Sequence, residues 1–311
     1  MTEAKYVERP GSQDLRQWIE TPLLGVNERI WSRLPVPVRD LRSVRAYGGW
    51  LHAAVCRRAN RQMYMGTQFH RNRPAQELMR RLADRSDPGS PFTITVLGCS
   101  IGVEVYSILS TLRSSRPGLE FAVQAVDISP EAVHVAERGV YSQATSEMVH
   151  SRIFDGLTRV ERTEMFDWDG DEATIKPWLR DGITWHVDDA SDPSLPQRLG
   201  PQELVVANNF LCHMSPRAAR PCLRNVGRLV TDGGYLFVTG VDLDVRTGVA
   251  IEQGWEPISE LRGEIHDGDP LVRADWPWRW WGLEPLDQHR RDWETRYTAA
   301  FRVTTPHHAR T

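Results

Sequence analysis

The chain has 311 residues, 40% of them hydrophobic and 25% charged, with a formal net charge of −3. These values suit one large globular domain, or one domain with a smaller partner, and weigh against a nucleic-acid binder, which usually carries a basic excess. No apolar run approaches the roughly 20 residues needed to span a bilayer, so neither a nucleic-acid nor a membrane partner is expected.

Lys5 and Lys176 are the only lysines, so the basic side chains are nearly all arginine. A GC-rich genome accounts for that bias, and bidentate contacts to anions would exploit it. Cys56, Cys99, Cys212 and Cys222 show no C-x-x-C spacing, and no His lies at zinc-ligand spacing to two of them. No structural metal is therefore expected. Scattered thiols, and a polar Met1–Gly11 stretch without a signal-peptide core, point to a reducing cytoplasm.

Residues 1–90 read as a helical region. Leu15–Ile19 is a short amphipathic turn, and Leu23–Leu34 is a helix stopped by Pro35 and Pro37. Trp50–Met65 places Leu51, Ala54, Val55, Ala59 and Met63 at helical spacing before Gly66. Pro74 opens a further helix with Leu78 and Leu82 on one face, and Asp87–Pro91 reads as a linker.

From residue 91 to 311 the pattern is α/β. Phe92–Leu97 is a β-branched run, as expected of a buried parallel strand. A glycine turn and a helix over Val103–Leu112 follow, then a strand over Phe121–Val126 ended by Asp127, then a helix over Pro130–Arg138. Further strands are expected at Ile183–Val187, Leu204–Ala207, Tyr235–Gly240 and Tyr297–Val303. A helix over Ala218–Leu229 comes before an Asp232–Gly234 turn. Polar residues at strand ends mark the edge where open α/β sheets bind ligands.

The segment Gly98–Cys99–Ser100–Ile101–Gly102–Val103–Glu104 joins the first strand to its helix. Gly98 and Gly102 permit a tight turn close to a ligand. The dinucleotide fingerprint G-x-G-x-x-G is absent, which argues against a nicotinamide dehydrogenase. Asp127 can accept hydrogen bonds from both hydroxyls of a ribose. The alternative is an α/β protein that merely has a tight first turn, with Glu104 favouring the helix dipole.

Six ordered blocks then resemble the CheR-type methyltransferases. Gly98–Ser107 is similar to (C/A)-x-S-x-G-E-E-P-Y-S, and Gly66–Arg71 to T-x-F-F-R. Val126–Ser129 is similar to T-D-I-D, and Arg138–Tyr141 to R-G-I-Y. Ala207–Met214 is similar to C-R-N-V-L-I-Y-F, and Asp232–Gly240 to P-G-G-x-L-x-x-G. The resemblance implies a Rossmann-like, seven-stranded class I methyltransferase sheet with an N-terminal helical region. It also implies S-adenosylmethionine (SAM) as cofactor and S-adenosylhomocysteine as product.

Residue by residue, the resemblance places Thr67 and Arg71 on the methionine carboxylate, where the Arg fork pairs well, and Glu104 on the ammonium. Gly98, Ser100 and Gly102 form the loop, Asp127 takes the ribose, Asp189 and Ala190 the adenine, and Asn208 and Asn209 lie under the cofactor. His70 and His213 are expected on the acceptor side. Two active-site positions depart from the pattern, Asn208 standing for an Arg and His213 for a Tyr, and the first Glu of G-E-E is also lost, as Val103. Loss of that Arg weakens the case for an acidic acceptor. His213 is the candidate catalytic base, suited to a hydroxyl or amine, or else a loop histidine.

Residues 142–182 coincide with a small β-subdomain that the family inserts. Residues 241–295 are Trp-rich: Trp255, Trp276, Trp278, Trp280, Trp281 and Trp293, with Glu264, Asp267, Asp269 and Asp275 before the dense run. They read as a core, or as a lid in which Trp278 and Trp280 touch the substrate. The leading expectation is methyl transfer to an oxygen or nitrogen of a small molecule. Carboxyl methylation of a protein is the second reading, and a SAM-binding module without turnover the third.

Overall fold

In a computed structural model of the chain, the described residues are 22–61, 66–85, 90–143, 153–268 and 276–304. The expected Leu15–Ile19 turn, Met63, the linker residues 87–89, Asp269 and Asp275 lie outside them. The chain forms two compact units, one of residues 1–64 and 269–287, the other of residues 65–268 and 288–311.

The first unit contains α1 (Pro22–Arg33), α2 (Val36–Arg39) and α3 (Arg42–Arg58). Helix α3 starts eight residues before the expected Trp50, through the Gly48–Gly49 pair that disfavours a helix. The tertiary structure explains this. The edge of Trp276 meets Trp31 (centroids 5.5 Å apart), and both rings press on Gly48, where a Cβ would lie 2.4 Å from Trp276. Leu51 completes this small core, and Trp278 packs against it. Trp280 and Trp281 meet edge to face at 4.2 Å.

The second unit carries a seven-stranded sheet in the order β6-β2-β1-β7-β8-β10-β9. Its strands are β1 (Phe92–Leu97), β2 (Phe121–Asp127), β6 (Ile183–Val187), β7 (Gln202–Asn208), β8 (Val230–Thr239), β9 (Glu256–Pro257) and β10 (Ala300–Arg302). The first five are parallel, and β10 is antiparallel to β8. The apolar runs of β1 and β7 are buried on both faces, as a central parallel strand requires. Helices α5 (Val103–Ser115) and α6 (Pro130–Arg138) start at the loops after β1 and β2.

Helix α4 (Arg73–Ala83), expected in the N-terminal helical region, belongs to this unit. Its Leu78, Met79, Leu82 and Ala83 are buried in the sheet core, and it packs along α5. The inserted subdomain is a three-stranded sheet of order β3-β5-β4, with β3 (Val140–Ser142), β4 (Phe166–Asp169) and β5 (Glu172–Ile175), and helix α7 (Arg159–Met165).

Two stretches differ from expectation. Asp232–Gly234 does not end a loop: β8 already begins at Val230 and absorbs these residues as a bulge, with Gly233 at φ +77°. The Trp-rich stretch is shared between both units. Its first part forms a helix over Leu243–Gln253, followed by β9 and a short helix over Arg262–His266. In the sheet unit Trp255 packs on Phe301 and covers Gly227, and Trp293 lies under the Arg262 guanidinium (4.8 Å).

Gly48→Ala should destabilise the helical unit by about 1–3 kcal/mol through overpacking, whereas Gly49→Ala, with open space at its Cβ, should be neutral or stabilising. Unfolding followed by tryptophan fluorescence checks the pair.

Candidate functional site

The site is built at the carboxyl edge of the parallel strands. The loop from β1 to α5 turns through three positive-φ residues, Gly98 (+66°), Ser100 (+50°) and Gly102 (+82°). The two glycines are constrained by space as well as by φ. A Cβ on Gly98 would lie 2.8 Å from Phe210, and one on Gly102 would lie 2.9 Å from Ala136. Tyr141 holds the loop from below, its hydroxyl donating to the Ile101 carbonyl (2.7 Å).

Asp127, the last residue of β2, is buried and stitches two loops together. Its Oδ2 accepts from Ser100 N–H (2.7 Å) and its Oδ1 from Ser129 N–H (3.0 Å). Burial raises its pKa, opposed by these backbone donors. Each oxygen retains a lone pair for a further donor, and the Ser100 hydroxyl beside it is buried without a partner.

A second polar chain crosses the same edge. Asn208 Nδ2 donates to Glu104 Oε1 (2.7 Å), and Thr239 Oγ donates to Asn208 Oδ1 (2.8 Å). Asn208 and Thr239 face each other at the ends of β7 and β8. Desolvation raises the Glu104 pKa, while the Asn208 amide and the positive charge of Arg71 pull it down. Asn209 follows at φ +58° and donates its N–H to the Thr239 carbonyl (3.1 Å). Gly240 lies so close that a Cβ there would be 2.5 Å from the Asn209 Cα. Phe210 covers Gly98, and the short 3-10 turn Leu211–His213 ends at a half-buried His213.

Thr67 and Arg71 are half-buried on the loop before α4. That loop is fixed to the inserted subdomain. Phe69 N–H donates to the Ile153 carbonyl (2.8 Å), its ring packs among Tyr141, Phe154 and Phe166, and Gly156 touches its carbonyl so closely that no Cβ would fit. Arg73 forks onto Glu161 of α7 (2.7 Å to each oxygen) and reaches the Gly156 carbonyl (2.6 Å).

Other expected residues are arranged differently. His70 is buried at φ +50°. Its Nδ1 is 2.6 Å from Gln76 Oε1, and its Nε2 is 3.8 Å from Glu161. The ring is thus enclosed by protein and offers no exposed edge to a substrate. Burial also lowers its pKa. Asp189 uses one oxygen within its own loop, accepting from the N–H and hydroxyl of Ser191 (2.8 and 2.7 Å). The Ala190 carbonyl accepts from Asn225 Nδ2 (3.0 Å). Asp188 makes the direct link to β2, its N–H donating to the Asp127 carbonyl (2.9 Å). Trp278 and Trp280 lie in the helical unit.

Sequence reasoning missed Ile128 and Val187. Both are 53% exposed at the ends of the neighbouring strands β2 and β6. For Ile128 the available signal is its place directly after the strand-ending Asp127, and Val187 carries no comparable mark. Phe210 was quoted in its block without a role, because only its contact with Gly98 reveals one.

The family follows from comparison with known proteins. The CheR methyltransferase SAM-binding domain matches residues 66–243, more than half of the chain. The chain belongs to the CheR methyltransferase family. It is 27% identical over 223 residues to an uncharacterised 104.1 kDa protein of Rhodobacter capsulatus, a match covering 65% of this chain and 22% of that protein. The chain thus spans about a fifth of the length of that relative. Among solved structures it is similar to the magnesium protoporphyrin IX methyltransferase of Synechocystis PCC 6803, at 12% identity and TM-score 0.34, covering 81% of this chain and 90% of that one. It is also similar to the StiE O-MT segment 961–1257, at 13% identity and TM-score 0.38, covering 75% and 74%.

The raised Glu104 pKa sets a pH dependence. In the folded chain this carboxyl holds its proton to higher pH than in the unfolded chain, so stability falls as pH rises from the ordinary carboxyl range through the raised value. Glu104→Gln, which removes the desolvated charge and keeps an acceptor for Asn208, should flatten that slope and raise the ligand-free melting temperature at neutral pH. Thermal unfolding across pH 4 to 8, spanning about the carboxyl and imidazole ranges, measures it.

Proposed function

We propose that the chain binds SAM at this edge and transfers its methyl group to an oxygen or nitrogen of a small-molecule acceptor, releasing S-adenosylhomocysteine. The observation that carries the reading is Asp127. It is a buried carboxylate oriented by two backbone N–H groups at the mouth of the glycine loop, with lone pairs left for two ribose hydroxyls.

The rest of the donor set fits the same molecule. Glu104 is a desolvated carboxylate suited to an ammonium, and Arg71 with Thr67 suits a carboxylate. The unpartnered Ser100 hydroxyl lies in the loop, and Ile128 and Val187 offer apolar surface to a base. Asp189 and Ala190 would border that base, and Asn208 and Asn209 would form the floor.

When bound, SAM supplies a methyl already activated on a sulfonium. The residues then have to orient the acceptor and exclude water, and orientation of this kind contributes on the order of 7–11 kcal/mol. His213 takes the proton that a hydroxyl or amine loses. Asn208 favours such an acceptor over a carboxylate: it stands where the family pattern has Arg, and its amide is bonded to Glu104. The inserted three-stranded sheet favours a second reading, methylation of a protein carboxylate, in which it would hold the protein substrate. Four free thiols suit a reducing compartment, and the cytoplasm is part of this proposal.

Calorimetric titration with S-adenosylhomocysteine should show micromolar binding, weakened roughly tenfold or more in Asp127→Ala, as expected for loss of hydrogen bonds to a charged group. No binding by the unaltered chain would overturn the cofactor assignment. With labelled SAM, His213→Gln should lower turnover and leave S-adenosylhomocysteine affinity intact. Methylation found only on protein carboxylates, released as base-labile methanol, would replace the small-molecule reading with the second one.

A further inference from the structure

The helical unit carries charge and apolar surface that methyl transfer does not use. Residues 22–61 hold eight arginines against two acids, Glu28 and Asp40, in a chain whose net charge is −3. Asp40 is already paired with Arg45 (3.0 Å). Five of the nine exposed large hydrophobic side chains among the described residues also lie here: Val26, Ile30, Leu41, Tyr47 and Trp50.

Their arrangement is ordered. Val26 and Ile30 are one turn apart on α1. The Tyr47 hydroxyl on α3 donates to Asn27 of α1, which brings the two helices side by side, and Trp50 stacks on Tyr47 (centroids 6.0 Å, planes 15° apart). An apolar strip therefore runs across α1 and α3. Arg29 and Arg33 flank it on α1, and Arg42 and Arg57 flank it on α3. All four are exposed, with no ion pair among the described residues. On α3 the positions between these arginines and Trp50 include the small, exposed Ala46 and Ala53, which leave the indole open. Glu28 falls away from the strip by helical spacing.

We propose that this face binds the anionic headgroups of a lipid surface, lying in the plane of the interface. Aliphatic and aromatic side chains rimmed by arginine are the signature of such contacts: the apolar strip enters the headgroup boundary, Trp and Tyr sit at its level, and the cations meet lipid charge. The strip fits lipid better than nucleic acid, because Val26 and Ile30 have no π-face on which a base could stack. The contact is peripheral, since no helix among the described residues is long and apolar enough to cross a membrane.

The test is co-sedimentation of the full chain with vesicles of phosphatidylcholine, with and without phosphatidylglycerol. Binding is expected only to the anionic vesicles and should weaken with salt. Each lost arginine should cost roughly fivefold in affinity, so Arg42→Gln with Arg57→Gln should lose at least tenfold. Ile30→Ser and Trp50→Ala, both at exposed positions, should weaken binding with unchanged far-ultraviolet dichroism and melting temperature. Absence of binding to anionic vesicles overturns the proposal. So does binding that Ile30→Ser and Trp50→Ala leave untouched. Capture of polyuridylate or polyglutamate through the same residues, without vesicle binding, would transfer the face to a nucleic acid or an acidic protein.

Discussion

The carboxylate of Asp127 is the constraint on which the candidate site depends. Its two oxygens receive the N–H groups of Ser100 and Ser129, so one side chain fixes the loop after β1 against the loop after β2. The Cys99 N–H bond to the Val126 carbonyl (3.0 Å) adds a backbone tie between the same strand ends. The left-handed conformations at Gly98, Ser100 and Gly102 are maintained by this pairing and by the Phe210 ring over Gly98. The acid proposed to hold a ligand thus also shapes the glycine loop. Part of the cost of burying it is offset by backbone donors before any ligand arrives.

Glu104 is balanced differently. The Asn208 amide and the charge of Arg71 pull against its desolvation, which prevails, so the pKa rises. A cationic ligand group would complete the compensation, which makes the residue a poor stabiliser alone and a strong contact when occupied. The Glu104–Asn208–Thr239 chain also ties the first turn of α5 to the ends of β7 and β8. Asn208, standing where the family pattern has Arg, therefore sets the interior wiring of the sheet edge.

Much of this was legible in the sequence because local rules and tertiary packing agree there. The apolar run Phe92–Leu97, the glycine turn and the strand-ending Asp127 each specify their own geometry. Pro74 and Ser129 open their helices as capping chemistry dictates, Ser129 accepting from the Ala132 N–H (3.2 Å). Failures came where a distant partner decided. Gly48 and Gly49 fall outside the expected Trp50–Met65 helix, and only the packing of Trp31 and Trp276 on Gly48 accounts for their place inside α3. Leu78 and Leu82 read equally well as part of a helical region until they are seen buried in the sheet core. His70 is expected on the acceptor side, and no spacing rule announces that Gln76 and Glu161 enclose its ring.

That enclosure links the inserted subdomain to the cofactor side of the site. Glu161 caps α7 through Thr158 and takes the Arg73 fork, and the same carboxylate stands 3.8 Å from the buried His70. His70 in turn occupies a strained left-handed conformation, with its N–H donating to Ser107 of α5 (3.0 Å). The loop with Thr67 and Arg71 is therefore held from two directions, by the helix that follows the glycine turn and by the insert. A loop so clamped loses little further freedom on binding a ligand, which is the physical meaning of preorganisation. The insert then bears on the proposed site through the position of Arg71, whether or not its own three-stranded sheet touches an acceptor.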